Sequence, residues 1–185
     1  MEVILMKDKL FIILTMITLI SSITKVIKIS SIENNITFAM IKPDAVQAKN
    51  DGKIVHIIKQ HGFKIMNMKE TLLAKKDAKI FYALHKNKPF FCKLVTFVTS
   101  GPIIVMVLKK ENAIQGWRKL MGATDPKNAA PGTIRKLFGT NITANAVHGS
   151  DAWQTAQQEI RQFFPDLAIS PKKLTTSAWK EQQHA

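Results

Sequence analysis

The stretch Gly101-Pro-Ile-Ile-Val-Met-Val-Leu108 decides the fold class, because it holds the most strand-like run in the chain. Six apolar residues, four of them β-branched, follow one another from Ile103 to Leu108. β-branched residues pack well on a pleated sheet. Gly101 and Pro102 break any helix that precedes them. The run therefore predicts a strand, and the neighbouring elements are placed by working outward from it.

Toward the amino terminus, helical and strand-like patterns alternate. Ile36–Ile41 predicts a buried strand that ends at Lys42-Pro43-Asp44, because proline donates no hydrogen bond to a ladder. Residues 75–85 predict a helix with Ile80, Phe81 and Leu84 on one face. The other elements predicted on this side are a helix over 53–61, a strand over 63–73 and a helix over 91–98.

Toward the carboxyl terminus, we expect a helix over 112–121, an irregular stretch over 122–141, a short strand over 144–148 and a helix over 151–164. In the last helix Asp151 and Gln154 are expected to form the N-cap pair, and the core-facing side chains are expected to be Ala152, Ala156, Ile160 and Phe163. The order β-α-β-α-(α)-β-α-β-α predicts an α+β fold, a ferredoxin-like sandwich in which helices cover a four-stranded antiparallel sheet.

The ends of the chain differ from this body. We expect an N-terminal extension over 1–36, one domain over 37–165 and a C-terminal tail over 166–185. Residues 10–24 are uncharged but number 15, short of the roughly 20 that a membrane-spanning helix needs. They resemble a signal-peptide core or a short anchor within residues 1–30. A mis-called start codon upstream of a soluble domain explains them equally well, and membrane contact is possible only through residues 10–24.

Charge and cysteine usage narrow the classes of function. The single cysteine, Cys92, excludes an intramolecular disulfide and a cysteine-rich metal site. Residues 37–165 carry +12 of the net charge of +14, which indicates an anionic partner or merely solvated lysines. Only three of the 27 basic residues are arginines. Arg118 and Arg135 are therefore candidates for bidentate phosphate binding, which lysine cannot provide.

His148 is the candidate nucleophile, since it stands at a predicted strand end in Asn145-Ala-Val-His148-Gly149-Ser150. A neutral imidazole attacks phosphorus near neutral pH. The competing interpretation is a histidine that only hydrogen-bonds a backbone carbonyl. The chain has neither a P-loop nor a protein-kinase glycine-rich loop, so side chains must hold any phosphates. Lys42, Arg118, Thr124 and Arg135 are the candidates for that role.

Six segments together resemble the nucleoside diphosphate kinase family in order and spacing. They are TFAMIKPDAV (37–46), FYALHKNKPFF (81–91), VTSGPIIVMVL (98–108), WRKLMGATDP (117–126), PGTIR (131–135) and NAVHGSDA (145–152). The resemblance spans residues 37–164. It implies a ping-pong exchange in which a nucleoside triphosphate phosphorylates His148 on its pros nitrogen and a diphosphate then removes the group, which maintains nucleotide pools.

The resemblance also implies roles for the other site residues. Phe90 stacks on the base, and Lys42 and Asn145 contact the ribose, with Lys42 also reaching the transferred phosphoryl. Tyr82 lies beside His148, and Glu159 orients its ring, through Ser150 or directly. Arg118, Thr124 and Arg135 hold phosphates bridged by Mg²⁺, which the protein does not ligate directly. A cytoplasmic homotetramer or homohexamer is expected, for which nucleic acid is not required.

Two departures from the family pattern and two alternatives stay open. Lys88 stands where the family usually has arginine, and Lys136-Leu137 replaces a small residue followed by aspartate. A domain that keeps the fold but binds nucleic acid through its basic body is the first alternative. The second is that phosphorylated His148 also donates to histidines of other proteins.

Overall fold

A computed structural model describes residues 15–22, 24 and 35–167. Residues 35–167 belong to one compact unit. Residues 15–22 and 24 are helical and exposed. Among the described residues, no helix is both long and apolar enough to cross a membrane. The rest of the predicted N-terminal segment and residues 168–185 of the predicted tail lie outside the described residues, so the predicted limits of the extension, domain and tail stay predictions.

Four strands form one antiparallel sheet, as predicted. They are β1 (Ile36–Ile41), β2 (Lys64–Leu72), β3 (Pro102–Lys109) and β4 (Val147–Gly149), and their order across the sheet is β2-β3-β1-β4. The apolar strands β1 and β3 occupy the two central positions, where nearly every side chain is buried. This order with intervening helices is the expected ferredoxin-like α+β fold.

Seven helices accompany the sheet in residues 35–167. They are α1 (Pro43–Gln47), α2 (Asp51–Gln60), α3 (Lys75–Phe81), α4 (Phe91–Val98), α5 (Ala113–Met121), α6 (Ile134–Phe138) and α7 (Trp153–Phe163), with a 3₁₀ turn over Ala83–His85. The amphipathic helices α2 and α5 bury Ile54, Ile58 and Trp117 in the core against the sheet. The core thereby fixes the strand ends that carry the polar residues of the site.

The sheet register brings distant polar residues together. His148 of β4 pairs with Met40 of β1, and Val147 pairs with Ile41. Lys42 follows β1 directly, and its N–H donates to the carbonyl of Ala146 at 2.9 Å. The end of β1 and the start of β4 are therefore neighbours although about a hundred positions separate them.

Several local predictions were wrong. The helix predicted over 75–85 ends at Phe81, and Ile80 and Leu84 are 46% and 77% exposed instead of facing the core. The buried residues of this region are Ala78 on the helix and Tyr82 at the junction with the 3₁₀ turn. Apolar spacing identified a helix here but not its core-facing side, because this helix has exposed apolar residues on its other faces.

Other errors concern element ends. Ala152 is the exposed N-cap of α7 and makes no side-chain capping bond, and Asp151 instead accepts from Thr155 Oγ1 at 2.8 Å. The predicted capping pair of Asp151 and Gln154 is therefore absent. The short helix α6 interrupts the stretch predicted to be irregular over 122–141. The last strand begins at Val147, since a backbone turn occupies residues 145–147.

Candidate active site

The ring of His148 is held by a carboxylate of the last helix. Glu159, buried on α7, accepts from His148 Nε2 at 2.7 Å. Ser150 Oγ donates to the other oxygen of the same carboxylate. Since an ionised carboxylate only accepts hydrogen bonds, Nε2 carries the proton in this arrangement. In the neutral imidazole the lone pair is then on Nδ1, an arrangement in which a histidine can act as a nucleophile.

Aromatic rings surround His148 on its other sides. Phe81, Tyr82 and Phe38 have ring centroids 5.0, 6.0 and 6.2 Å from the imidazole centroid. The His148 side chain is nevertheless 22% exposed, so a ligand has access to it. Tyr82 is buried, and its hydroxyl has no hydrogen-bond partner among the described residues. Burial raises the pKa of Tyr82, and the nearby Glu159 raises it further, so the hydroxyl stays a proton donor.

Gly149 leaves room for the indole of Trp117 on the neighbouring helix α5. A Cβ atom there would lie 2.2 Å from indole atoms of Trp117, which is fully buried on α5. Trp117 Nε1 also donates to the carbonyl of His148 at 3.3 Å. Trp117 thus fixes the backbone of His148 from the core side, a contact that the motif alone did not show.

Lys42 and Asn145 form a buried pair beside the histidine strand. Lys42 Nζ donates to Asn145 Oδ1 at 2.6 Å, and both side chains are buried. The amide nitrogen of Asn145 donates to the carbonyls of Thr124 and Ile142, each at 2.9 Å. The pKa of Lys42 is lowered to about 8, mainly by burial and also by the charge of Arg135, while Asp44 opposes both effects. The pair is a buried cation with an oriented amide.

Arg135 on α6 supplies a second buried cation. Its two terminal nitrogens donate to the carbonyls of Gly122 and Val147 at 2.9 and 3.2 Å, and its Nε is buried without a partner among the described residues. Its pKa is lowered to about 10, mainly by burial and also by the charge of Arg118. The two guanidinium groups repel each other and neither is paired with a carboxylate in residues 35–167, so a bound anion is favoured near them.

The remaining predicted site residues are exposed. Arg118 on α5 and Thr124 in the following loop have exposed side chains, and Phe90 at the start of α4 is 49% exposed. The ring of His85 lies 6.3 Å from that of Tyr82 and 5.8 Å from that of Phe90. His85 and Tyr82 therefore connect the ring of Phe90 to that of His148. The exposed part of the Phe90 ring is available for stacking.

The structure brings eight of the ten predicted site residues, all except Arg118 and Phe90, into two linked groups. His148, Glu159, Ser150 and Tyr82 form the first, and Lys42, Asn145 and Arg135 form the second, with Thr124 joined to it through its carbonyl. The link is the backbone of Val147, whose carbonyl binds Arg135. Sequence reasoning missed Trp117 and Asp44, whose side chains contact only backbone atoms of the site and so leave no local signal.

No carboxylate-rich metal site accompanies these groups. Among residues 15–22, 24 and 35–167, no three His, Cys, Asp or Glu side chains are grouped so that they could hold a metal ion. The charged groups around the site are mainly cations, which bind phosphate and not metal.

Comparison with known proteins gives one consistent result. Residues 35–169 match the family model described as nucleoside diphosphate kinase. The nucleoside diphosphate kinase of Oleidesulfovibrio alaskensis is 49% identical over 134 residues, which are 72% of this chain and 96% of that protein. The nucleoside diphosphate kinase of Trichlorobacter lovleyi is 55% identical over 133 residues, again 72% of this chain and 96% of that protein.

Solved structures show the same similarity. A crystal form of the Aquifex aeolicus nucleoside diphosphate kinase has a TM-score of 0.70 and 40% identity, over 73% of this chain and 98% of that one. The nucleoside diphosphate kinase of Halobacterium salinarum, solved in complex with CDP, has a TM-score of 0.69 and 40% identity, over 79% of this chain and 97% of that one.

Proposed function

The chain belongs to the nucleoside diphosphate kinase family, and we propose that His148 is the residue that carries the phosphoryl group between its two nucleotides. In the first half-reaction a nucleoside triphosphate gives its γ-phosphoryl group to the enzyme and leaves as the diphosphate. In the second, another diphosphate takes the group. The observation that carries the assignment to His148 is its bond to Glu159, which occupies Nε2 and leaves Nδ1 as the nucleophilic atom.

The proposed step at His148 balances as follows. The Nδ1 lone pair forms a bond to the γ-phosphorus, the bond from that phosphorus to the bridging oxygen breaks, and its electron pair leaves with the diphosphate. The proton stays on Nε2. The positive charge that develops on the ring is stabilised by Glu159, whose carboxylate is fixed in turn by Ser150. The second half-reaction reverses each of these changes with a different diphosphate.

The cationic side chains are proposed to hold the nucleotide. Arg118, Arg135 and Thr124 bind the β- and γ-phosphates, and Lys42 reaches the transferred phosphoryl group while Asn145 binds the ribose. The base stacks on the exposed ring of Phe90, which supplies only a π-face and therefore accepts any base. Mg²⁺ would be held by the phosphates of the nucleotide and not by protein side chains, and it would neutralise part of the phosphate charge.

Labelling tests this proposal. Wild-type enzyme incubated with γ-labelled ATP and no acceptor is expected to take up a label that is acid-labile and base-stable, as a phosphoramidate is. Added nucleoside diphosphate should then discharge the label into triphosphate. A chain that takes up no label, or whose label diphosphate does not remove, would be inconsistent with a ping-pong exchange.

The pH dependence of nucleotide capture is expected to report Lys42. Its charged form binds phosphate, and that form is lost in the free enzyme as the pH rises through about 8. We expect kcat/KM, which reports the free enzyme, to fall above that pH. The corresponding fall in kcat should lie at higher pH, because bound phosphates favour the charged form of Lys42. In Lys42→Arg the fall in kcat/KM near pH 8 should be absent, however much activity the variant keeps. If the fall persists in this variant, a group other than Lys42 causes it.

We also propose self-assembly through the open edge of the sheet, as a homotetramer or homohexamer. The edge strand β2 exposes Met66, Met68 and Leu72, which are 44%, 52% and 74% accessible in the single chain. Apolar residues on an edge strand are a liability unless another surface covers them. Sedimentation of the purified enzyme distinguishes either assembly from a monomer.

A cytoplasmic location is proposed from the nucleotide substrates, and an intact Met1 in a membrane fraction would contradict it.

A further inference from the structure

The turn that precedes His148 is strained. Ala146 lies in the left-handed region with φ of 66° although it has a Cβ atom. Val147 N–H donates to the carbonyl of Asn145 at 2.7 Å, which closes a three-residue turn around Ala146. A γ-turn with a positive φ at its centre is rare and persists only where its surroundings hold it. This turn stands between Asn145, which binds Lys42, and the strand that carries His148.

Two groups just beyond β1 hold this turn. Lys42 N–H donates to the carbonyl of Ala146 at 2.9 Å. Asp44 Oδ2 accepts from the N–H of Ala146 at 2.9 Å across a separation of 102 positions. Ala146 is fully buried, so without Asp44 its N–H would lose a bond that water cannot easily replace. Both polar backbone atoms of the strained residue therefore depend on this one segment.

Helix capping, a common role of an aspartate at a helix start, does not explain Asp44. It lies in the first turn of α1, but the N-cap residue is Lys42 and no side chain caps this helix. The second oxygen, Oδ1, is buried and has no hydrogen-bond partner among the described residues. A buried carboxylate oxygen without a partner costs stability. Stability alone is thus a weak reason for this arrangement, whereas the site gains a fixed turn and a negative charge near Lys42.

We propose that Asp44 is a positioning residue for phosphoryl transfer, whose carboxylate holds the turn at Ala146 and so places Asn145 and His148. The inference rests on His148 as the phosphoryl carrier. Only three residues of β4 pair with β1, so the short strand fixes its own position weakly. A shift of Ala146 would move the Asn145 amide away from Lys42 and carry the His148 ring away from the phosphorus. Misplacement by about 1 Å can cost on the order of 100-fold in rate.

The test compares Asp44→Ala with the conservative Asp44→Asn. The initial rate of phosphoenzyme formation from Mg-ATP is measured in single turnover and divided by the number of subunits that finally become labelled, so that unfolded protein does not count. Asp44→Ala is expected to slow this step about 10- to 100-fold. Asp44→Asn keeps an oxygen that can accept from Ala146 N–H and should recover most of the lost rate. The matched control, Asp51→Asn at the start of α2, should not change it.

A second readout separates positioning from folding. The charge of Asp44 raises the pKa of Lys42, so in Asp44→Asn the alkaline limb of kcat/KM should move to lower pH. Wild-type rates per labelled subunit in Asp44→Ala, or equal losses in both variants, would overturn the proposal. If Asp44→Ala does not fold, the pH profile of Asp44→Asn decides, and an unshifted limb rejects the proposal. Failure of the proposed function can be told apart from failure of the Asp44 proposal, since the wild-type enzyme itself would then take up no label.

Discussion

Replacing His148 with glutamine is expected to abolish the phosphoenzyme and to lower turnover by on the order of 10⁴- to 10⁶-fold, the scale of losing a nucleophile. Glutamine has no atom that can form the phosphoramidate. Its side-chain amide nitrogen can still donate to Glu159, which His148 Nε2 does at 2.7 Å in the wild type. The substitution therefore removes the chemistry while preserving a partner for the buried carboxylate. The measurement is the label retained after incubation with γ-labelled ATP, together with the steady-state rate.

A matched histidine substitution serves as the control. His56→Gln changes an exposed side chain of α2, and we expect wild-type labelling and turnover from it. Thermal unfolding of both variants shows whether the loss in His148→Gln is one of chemistry or of folding. Normal labelling of a folded His148→Gln enzyme would place the phosphoryl carrier elsewhere in the chain.

Replacing Arg135 with lysine is expected to lower kcat/KM by on the order of 10²- to 10³-fold, the cost of losing one preorganised donor. The guanidinium donates to the carbonyls of Gly122 and Val147 simultaneously, and its Nε is buried without a partner in the described chain. An ammonium group keeps the charge but cannot span two carbonyls and also bind a phosphate in the same plane. The conservative change should therefore be nearly as harmful as a neutral one.

Arg161→Lys is the control for this effect. Arg161 lies in the last turn of α7 and has no proposed role in nucleotide binding, so its replacement should leave kcat/KM within about threefold of wild type. Because Arg135 also binds the backbone carbonyls of Gly122 and Val147, the thermal unfolding of Arg135→Lys should be measured in parallel. A stable Arg135→Lys enzyme with nearly wild-type kcat/KM would show that the charge alone suffices and that the fork geometry is not needed.

The fold was predictable from the sequence wherever a pattern is local. The run from Ile103 to Leu108 is β3, and the element order led to the antiparallel sheet that the structure shows. The helix face around Ile80 was not predictable, because exposed apolar residues on α3 imitate a core stripe. The start of α7 was also missed, since Asp151 accepts from Thr155 and does not cap the helix.

The site was predictable through side-chain chemistry and not through backbone conformation. The scarcity of arginine drew attention to Arg118 and Arg135, and the structure couples these two guanidiniums electrostatically. The strained turn at Ala146 leaves no trace in the sequence, because alanine is not a typical residue for a positive φ. Its partner Asp44 lies 102 positions away and meets only a backbone N–H. Such contacts emerge only from the folded sheet.

Locating the phosphoryl group on the labelled wild-type enzyme tests the central claim most directly. The phosphoenzyme is formed with Mg-ATP, digested at alkaline pH where a phosphoramidate survives, and the labelled peptide and ring atom are identified by mass spectrometry and phosphorus NMR. We predict a single site, Nδ1 of His148, because Glu159 occupies Nε2. Label on Nε2 of His148, or on any other residue, would contradict the account.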